Sequence, residues 1–154
     1  MLCWICFIWG NSLVPGGKSG AMSLNFVEGM QFFLASIHLP YGWVTNLLVR
    51  KCAHFSEYAI LGFLSCKTFN TDFSFLKDIS NISEVAVSAY VKQALFLISI
   101  PCVDEIIQLF VPYRCGAITD VLIDIFGIVC SLFIASLYMR YKYNQNVAIK
   151  RMTR

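Results

Sequence analysis

The chain has 154 residues, enough for one domain, and 58% of them are hydrophobic while only 14% are charged. Soluble domains carry about 25% charged residues, so this deficit and the long charge-free runs indicate an integral membrane protein. The net charge of +3 comes largely from the C-terminal tail, and the remainder lacks a basic patch with aromatics, which argues against nucleic-acid binding.

The first third of the chain predicts one spanning helix and one surface segment. Residues 1–14 are apolar and end at Pro15, but a span needs about 20 residues, so we expect a tilted helix or a start further upstream. The sequence LPYGW at residues 39–43 would break a helix. The apolar run up to Val49 leads directly into Arg50 and the next span, which leaves no connection between two antiparallel spans. We therefore predict that residues 24–39 form an interfacial or re-entrant segment. A fifth spanning helix is the alternative.

The rest of the chain predicts three longer spans at residues 52–69, 91–111 and 118–139. A polar loop of mixed charge, residues 70–90, separates the first two. The predicted fold is thus an all-α bundle of four transmembrane helices, in a domain of residues 1–140 followed by a basic tail at 141–154.

Each longer span carries polar residues that recur at three- and four-residue steps, which places them on one side of a helix. They are Lys51, His54, Glu57, Tyr58 and Ser65 in the second span, Pro101, Asp104, Glu105 and Gln108 in the third, and Asp120, Asp124, Gly127 and Ser131 in the fourth. Acidic residues in hydrocarbon normally face a bundle interior or a wet cavity. Pro101 is expected to kink the third span.

The lysine and arginine distribution predicts the orientation. With both termini in the cytoplasm, eight of the twelve basic residues are inside and four are outside. The outer ones are Lys18, Arg50, Lys51 and Arg114. This orientation brings all the unusual polar residues to the outer half of the membrane.

The candidate site is this polar cluster, for which three interpretations stay open. Its members are Lys51, His54, Glu57, Asp104, Glu105, Gln108, Arg114, Asp120 and Asp124. The first interpretation is a buried network of ion pairs that fixes the helix register, in which Lys51, His54 and Arg114 oppose the carboxylates. The second is a binding site for a polar or phosphorylated head group, with Lys51 and Arg114 as anion donors. The third is catalysis, with His54 or a carboxylate as general base and a divalent cation held by Asp and Glu.

Two of these runs resemble signatures of the VanZ-like family. RKCAHFSEYAILG at residues 50–62 resembles the first signature, and DEIIQLFVPYR at 104–114, followed by ITD and DIFG, resembles the second. Asn11-Ser12 resembles the N-terminal pattern. Tyr113 is a departure, since the family often has glycine before the arginine, and CGA at 115–117 replaces a more usual polar turn.

The resemblance implies a bacterial multi-pass protein of the cell membrane whose founding relative lowers susceptibility to teicoplanin, an antibiotic that binds cell-wall precursors outside the membrane. Expected partners are membrane lipids and a lipid-linked cell-wall precursor or lipoglycopeptide, and no cofactor is predicted apart from the divalent cation of the catalytic interpretation. A protein that binds an envelope ligand is the first hypothesis. A small membrane enzyme that modifies a lipid-linked or envelope substrate is the alternative.

Overall fold

The computed structural model describes residues 1–69 and 84–152, and all its regular elements in these ranges are α-helices. In chain order they are α1 (Leu2–Ser12), α2 (Gly16–Ser36), α3 (Asn46–Thr68), α4 (Glu84–Leu109) and α5 (Ile118–Met152). The all-α prediction is confirmed for these residues.

Helix α2 is longer than the predicted surface segment because it begins at Gly16 instead of residue 24. Pro15 precedes it at the N-cap position, where its missing amide proton is harmless, so the Pro-Gly-Gly sequence opens a helix instead of a loop. Helix α3 likewise begins earlier than predicted. The hydroxyl of Thr45 caps it by accepting a hydrogen bond from the amide of Leu48 at 3.3 Å.

The other boundaries differ at the predicted polar loop and at the tail. Residues 70–83 of the loop lie outside the described residues, and from Glu84 onward the chain is helical. Helix α4 contains Pro101 in its interior. Helix α5 continues without a break across residue 140, where the basic tail was expected to begin.

The core is built from α1, α3, α4 and α5. Its buried apolar members are Ile5, Ile8, Tyr58, Leu61, Leu97, Ile100 and Ile128. The most extensive helix contact joins α3 to α5, and glycines make it close. A Cβ atom added at Gly127 would lie 2.5 Å from the carbonyl oxygen of Phe55, and one added at Gly62 would lie 2.1 Å from Oγ of Ser131. Small residues at helix contacts are common in membrane bundles.

Helix α2 lies across one end of the bundle. The amide of Gly16 donates to the carbonyl oxygen of Pro112, in the turn between α4 and α5, at 3.0 Å. Fifteen residues later, Nε2 of Gln31 donates to the carbonyl oxygen of Val44, just before α3, at 2.8 Å. Because both contacts are at the same end, α2 crosses this end instead of running along α3. We call it the turn end, after the turn at residues 110–117.

Large apolar side chains are exposed on all five described helices, including Phe7, Phe32, Phe63, Ile106 and Phe133. In the described part of the chain, one helical stretch, Ile118–Asn146 of α5, is long and apolar enough to cross a membrane by length and composition. Helix α1 is apolar but shorter. The polar stripes that the sequence predicted on α3 and α4 lower the hydropathy of these helices, so the number of spans does not follow from their composition.

Candidate functional site

The three polar stripes meet inside the bundle near the turn end. Asp104 of α4 and Asp124 of α5 are completely buried, and Glu105 of α4 is 6% exposed. Nε2 of Gln108 lies 3.4 Å from both Oδ2 of Asp104 and Oε1 of Glu105. The other oxygen of Glu105 accepts a hydrogen bond from the amide of Ala117 at 2.7 Å. Glu105 therefore ties α4 to the turn that leads into α5.

Two of the predicted cations pair with carboxylates of α5. Nδ1 of His54 lies 3.4 Å from Oδ1 of Asp124. Lys51, one helical turn earlier on α3, forms a salt bridge with Asp120, which is half-buried. The spacing of three residues on α3 and four on α5 brings both pairs to one side of each helix. These two pairs join α3 to α5 at the turn end.

Arg114 was expected to oppose the carboxylates, and the structure gives it other partners. Its Nε donates to the carbonyl oxygen of Val14 at 2.8 Å, and its Nη2 donates to that of Asn11 at 2.9 Å. Within the described ranges, Arg114 forms no salt bridge with a carboxylate. It thus binds one carbonyl group in the last turn of α1 and one just beyond the helix end, where carbonyl groups lack the amide partner that a helix interior supplies. Burial lowers the pKa of Arg114, but its ordinary value is so high that the side chain stays charged.

Glu57 connects α3 to α1. Its Oε1 accepts a hydrogen bond from Nδ2 of Asn11 at 2.8 Å, and its backbone carbonyl accepts one from Nε1 of Trp4 at 2.9 Å. Ser12, the next residue on α1, is buried within 3.4 Å of Nε2 of Gln108. The N-terminal helix thus contributes amide and hydroxyl groups to the cluster.

Several buried polar atoms in the cluster have no hydrogen-bond partner among the described residues. They are the hydroxyl oxygen of Tyr58, Oδ1 of Asp104 and Oδ2 of Asp124, and also Nδ1 of His54 and Oδ1 of Asp124, which have only their 3.4 Å contact with each other. Buried polar groups in native proteins almost always have a partner. His54, Asp104, Glu105 and Asp124 each offer one ligand atom, and these four atoms lie within 4.8 Å of one another. This arrangement can hold a cation or share protons.

A cavity of about 650 Å³ lies beside the cluster, between α2, the end of α1 and the first half of α3. One wall is apolar and is formed by Met22, Phe26, Met30, Trp43, Val44 and Leu48. Polar residues, which we call the polar wall, also line the cavity, namely Asn11, Ser12, Arg50, His54, Glu57 and Arg114. His54 belongs to both places, since it lines the cavity and its Nδ1 faces Asp124. The cavity is therefore amphipathic, and its polar wall is connected to the buried carboxylates.

The family model described as VanZ/LLP1 matches residues 1–139, which include all nine residues of the candidate site. The chain belongs to the VanZ/LLP1 family. No curated protein and no solved structure matches it. The resemblance predicted from residues 50–62 and 104–127 is thereby confirmed, and it links the chain at family level to teicoplanin resistance.

Two positions stand out where α2 meets the turn of this VanZ/LLP1 chain. Tyr113 has a φ angle of 60°, in the left-handed region that favours glycine. Gly16 packs against the same turn, and a Cβ atom there would lie 1.8 Å from the carbonyl oxygen of Tyr113. The contact therefore has a glycine on the α2 side and a strained tyrosine on the other.

Sequence reasoning missed Arg50 and the apolar wall of the cavity. Arg50 was treated only as an outer basic residue, although it directly precedes Lys51 in the first VanZ/LLP1 signature. Met22 and Phe26 were assigned to a loop and a surface segment, so their position in one cavity with Arg50 could not be inferred. The four-residue spacing of Met22, Phe26 and Met30 within a helix is the signal that would have shown a shared face.

Proposed function

We propose that this protein lowers susceptibility to teicoplanin-type lipoglycopeptides by binding an anionic, lipid-linked envelope ligand in the cavity at the turn end. The observation that supports this most is the pairing, in one cavity, of an apolar wall with two guanidinium groups, those of Arg50 and Arg114. In the described part of the chain, neither arginine forms a salt bridge with a carboxylate. An amphiphile with a phosphorylated head group would fit this cavity, because its hydrocarbon chain can contact the apolar wall and its anionic head group can bind the two guanidinium groups.

The charges at the polar wall favour an anion. Burial, together with the neighbouring positive charge of Arg50, lowers the pKa of Arg114, which means that the two guanidinium groups repel each other. An anion between them removes this repulsion, and guanidinium groups bind phosphate with two parallel hydrogen bonds. The carboxylate of Glu57 reduces the net positive charge of the polar wall, and a hydrogen bond from Asn11 to its Oε1 holds this side chain in place.

The size and the apolar wall favour a ligand with a hydrocarbon chain. Cavities that bind small molecules measure about 300–1,000 Å³, and the volume of about 650 Å³ lies within that range. Met22 and Met30 are flexible and polarisable, and such side chains adapt to irregular ligands. The wall also contains Phe26 and Trp43, which offer broad apolar contact to an acyl or polyprenyl chain.

We further propose that α1, α3, α4 and α5 cross the cell membrane, with α2 at its outer surface and both termini in the cytoplasm. The excess of basic residues on the inner side supports this orientation. The exposed apolar side chains on every described helix support a lipid environment, since soluble monomers rarely expose large apolar patches. In this topology the cavity faces the compartment in which teicoplanin meets its lipid-linked target.

The test is a susceptibility assay in a teicoplanin-sensitive strain that expresses the protein or one of three variants. Arg50→Ala and Arg114→Ala each remove one guanidinium from the cavity, and Arg140→Ala removes an exposed one on α5 as the matched control. We expect the first two to lose most of the protection at equal membrane abundance, while Arg140→Ala keeps it. Equal protection by all three variants would contradict the proposal.

One observation favours a second candidate, a membrane enzyme that modifies a lipid-linked substrate. His54 lines the cavity and lies 3.4 Å from Asp124, so it can serve as a general base whose orientation a carboxylate fixes. Mass spectrometry of lipids and precursors from expressing and non-expressing cells separates the two functions. A binding protein leaves the covalent composition unchanged, whereas an enzyme produces a new species that the variant His54→Gln no longer makes.

A further inference from the structure

We propose that His54, Asp104, Glu105 and Asp124 bind one divalent cation inside the bundle. The site joins α3, α4 and α5 behind the polar wall of the cavity, and it goes beyond the proposed binding of an amphiphile. It shares only His54 with the cavity.

The geometry brings one ligand atom from each residue into a single small volume. The four atoms lie within 4.8 Å of one another. Atoms that bind one ion at about 2.2 Å are at most about 4.4 Å apart, when they lie on opposite sides of it. The largest separation therefore exceeds this limit by about 0.4 Å. Small side-chain rotations can bring the four atoms around one cation while the helices stay in place.

The charge balance favours a cation that the protein itself does not supply. Asp104 and Asp124 are completely buried and Glu105 nearly so, and the one basic side chain within ion-pair distance of these three, among the described residues, is His54. Lys51 pairs with Asp120 instead, and Arg114 binds backbone carbonyls. Buried carboxylates without opposing charge are strongly unfavourable, and a divalent cation supplies the missing positive charge at the centre of the group.

The unpartnered atoms point to a ligand at this place. Oδ2 of Asp124 and Oδ1 of Asp104 have no hydrogen-bond partner among the described residues. Nδ1 of His54 and Oδ1 of Asp124 have only each other, at 3.4 Å. Each belongs to a side chain of the four-atom set. Buried polar atoms of this kind indicate an ion or a water molecule that satisfies them.

Neighbouring groups hold the carboxylates in orientations suited to an ion. The amide of Gln108 lies at hydrogen-bond distance from Oδ2 of Asp104, which leaves Oδ1 of the same carboxylate for the cation. The backbone amide of Ala117 holds Oε2 of Glu105 at 2.7 Å. Metal ligands are typically oriented by such hydrogen bonds from a surrounding layer of residues.

The donor set indicates the class of cation. Three carboxylates favour a hard ion, and the imidazole adds a preference for first-row transition metals such as Mn²⁺ and Zn²⁺. Calcium takes six to eight oxygen ligands as a rule, more than this set offers. We therefore infer a first-row dication, and Mn²⁺ is a suitable probe because its free aqua ion has a characteristic paramagnetic resonance spectrum.

The experiment titrates the full chain, purified in detergent and stripped with EDTA, with MnCl₂ while the resonance signal of free Mn²⁺ is recorded. We expect one Mn²⁺ per chain, displaced by Zn²⁺, and an affinity at least about tenfold lower in Asp124→Asn and Asp104→Asn. Glu28→Gln is the matched control, because it removes an exposed carboxylate on α2 and leaves the four ligands in place. No binding above the detergent blank, or equal affinity in all variants, overturns the proposal.

A second measurement on the unmodified protein covers the case in which a variant fails to fold. A cation that binds the folded state more tightly than the unfolded chain stabilises the folded state increasingly as its concentration rises above Kd. Mn²⁺ well above its Kd should therefore raise the Tm of the EDTA-stripped protein. An unchanged Tm would count against the site. Neither measurement involves teicoplanin or the variants of Arg50 and Arg114, so failure of the cation site and failure of the proposed function give different results.

Discussion

Replacing a single carboxylate of the cluster with the corresponding amide removes its charge with little change in shape. Such variants distinguish a site that takes part in function from a network that only stabilises the bundle. Glu105→Gln keeps an oxygen that can accept from the amide of Ala117, and Asp120→Asn keeps a contact to Lys51 without the charge. We expect both variants to accumulate in the membrane near wild-type levels and to lose protection against teicoplanin. The measurement is an immunoblot of membranes beside the susceptibility assay. Loss of abundance and protection in strict proportion would show that these residues only hold the bundle together.

Tyr113 offers a test of stability at a residue outside the helices. Its side chain is 92% exposed and its φ angle is 60°, so it contributes little packing and occupies a conformation that disfavours residues with a Cβ atom. That conformation destabilises the folded state by about 1–2 kcal/mol. Tyr113→Gly should therefore raise the free energy of unfolding by about 1 kcal/mol, measured by denaturation in detergent.

The control for this prediction is an exposed tyrosine within a helix. Tyr138 lies in α5, where glycine is unfavourable by about 1 kcal/mol relative to good helix formers. Tyr138→Gly should lower the stability of the protein. A gain for both substitutions would mean that the loss of an exposed tyrosine, and not the backbone conformation, is responsible.

At the scale of elements, glycines determine how closely α3 and α5 approach. Alanine at Gly127 would bring a Cβ atom to 2.5 Å from a backbone oxygen, which cannot move without shifting α3. Gly127→Ala should therefore lower stability by about 1–3 kcal/mol, the usual effect of overpacking. Gly29→Ala is the control, since nothing lies within 4 Å of its added Cβ and alanine favours a helix. Equal thermal stability of the two variants would contradict this account of the contact.

The polar stripes were predictable from sequence, whereas the way in which α2 packs was not. Charges are rare in apolar helices, so the four-residue step from Asp104 to Gln108 identifies the buried face of α4 without tertiary information. The course of α2 depends on a backbone contact between Gly16 and Pro112. Every residue has the same backbone groups, so a pattern of side chains does not predict a hydrogen bond between two backbone groups. For the same reason the carbonyl partners of Arg114 could not be foreseen.

At the scale of the whole molecule, the orientation is the next prediction. Reporter fusions at position 75 and after Arg154 should both report a cytoplasmic location if α1, α3, α4 and α5 cross the membrane and α2 does not. The positive-inside distribution is the physical reason, with eight basic residues on one side and four on the other. An extracytoplasmic C-terminus would contradict the topology and the outward direction of the cavity.

The central claim is that the cavity at the turn end binds an anionic amphiphile, and native mass spectrometry tests it directly. The protein in detergent is mixed with a polyprenyl phosphate, and separately with a zwitterionic phospholipid. We expect one polyprenyl phosphate bound to the wild type and to Arg140→Ala, preferred over the phospholipid, and none bound to the double variant Arg50→Ala/Arg114→Ala. Equal retention of the phosphate by the double variant, shown to be folded by circular dichroism, would contradict the claim.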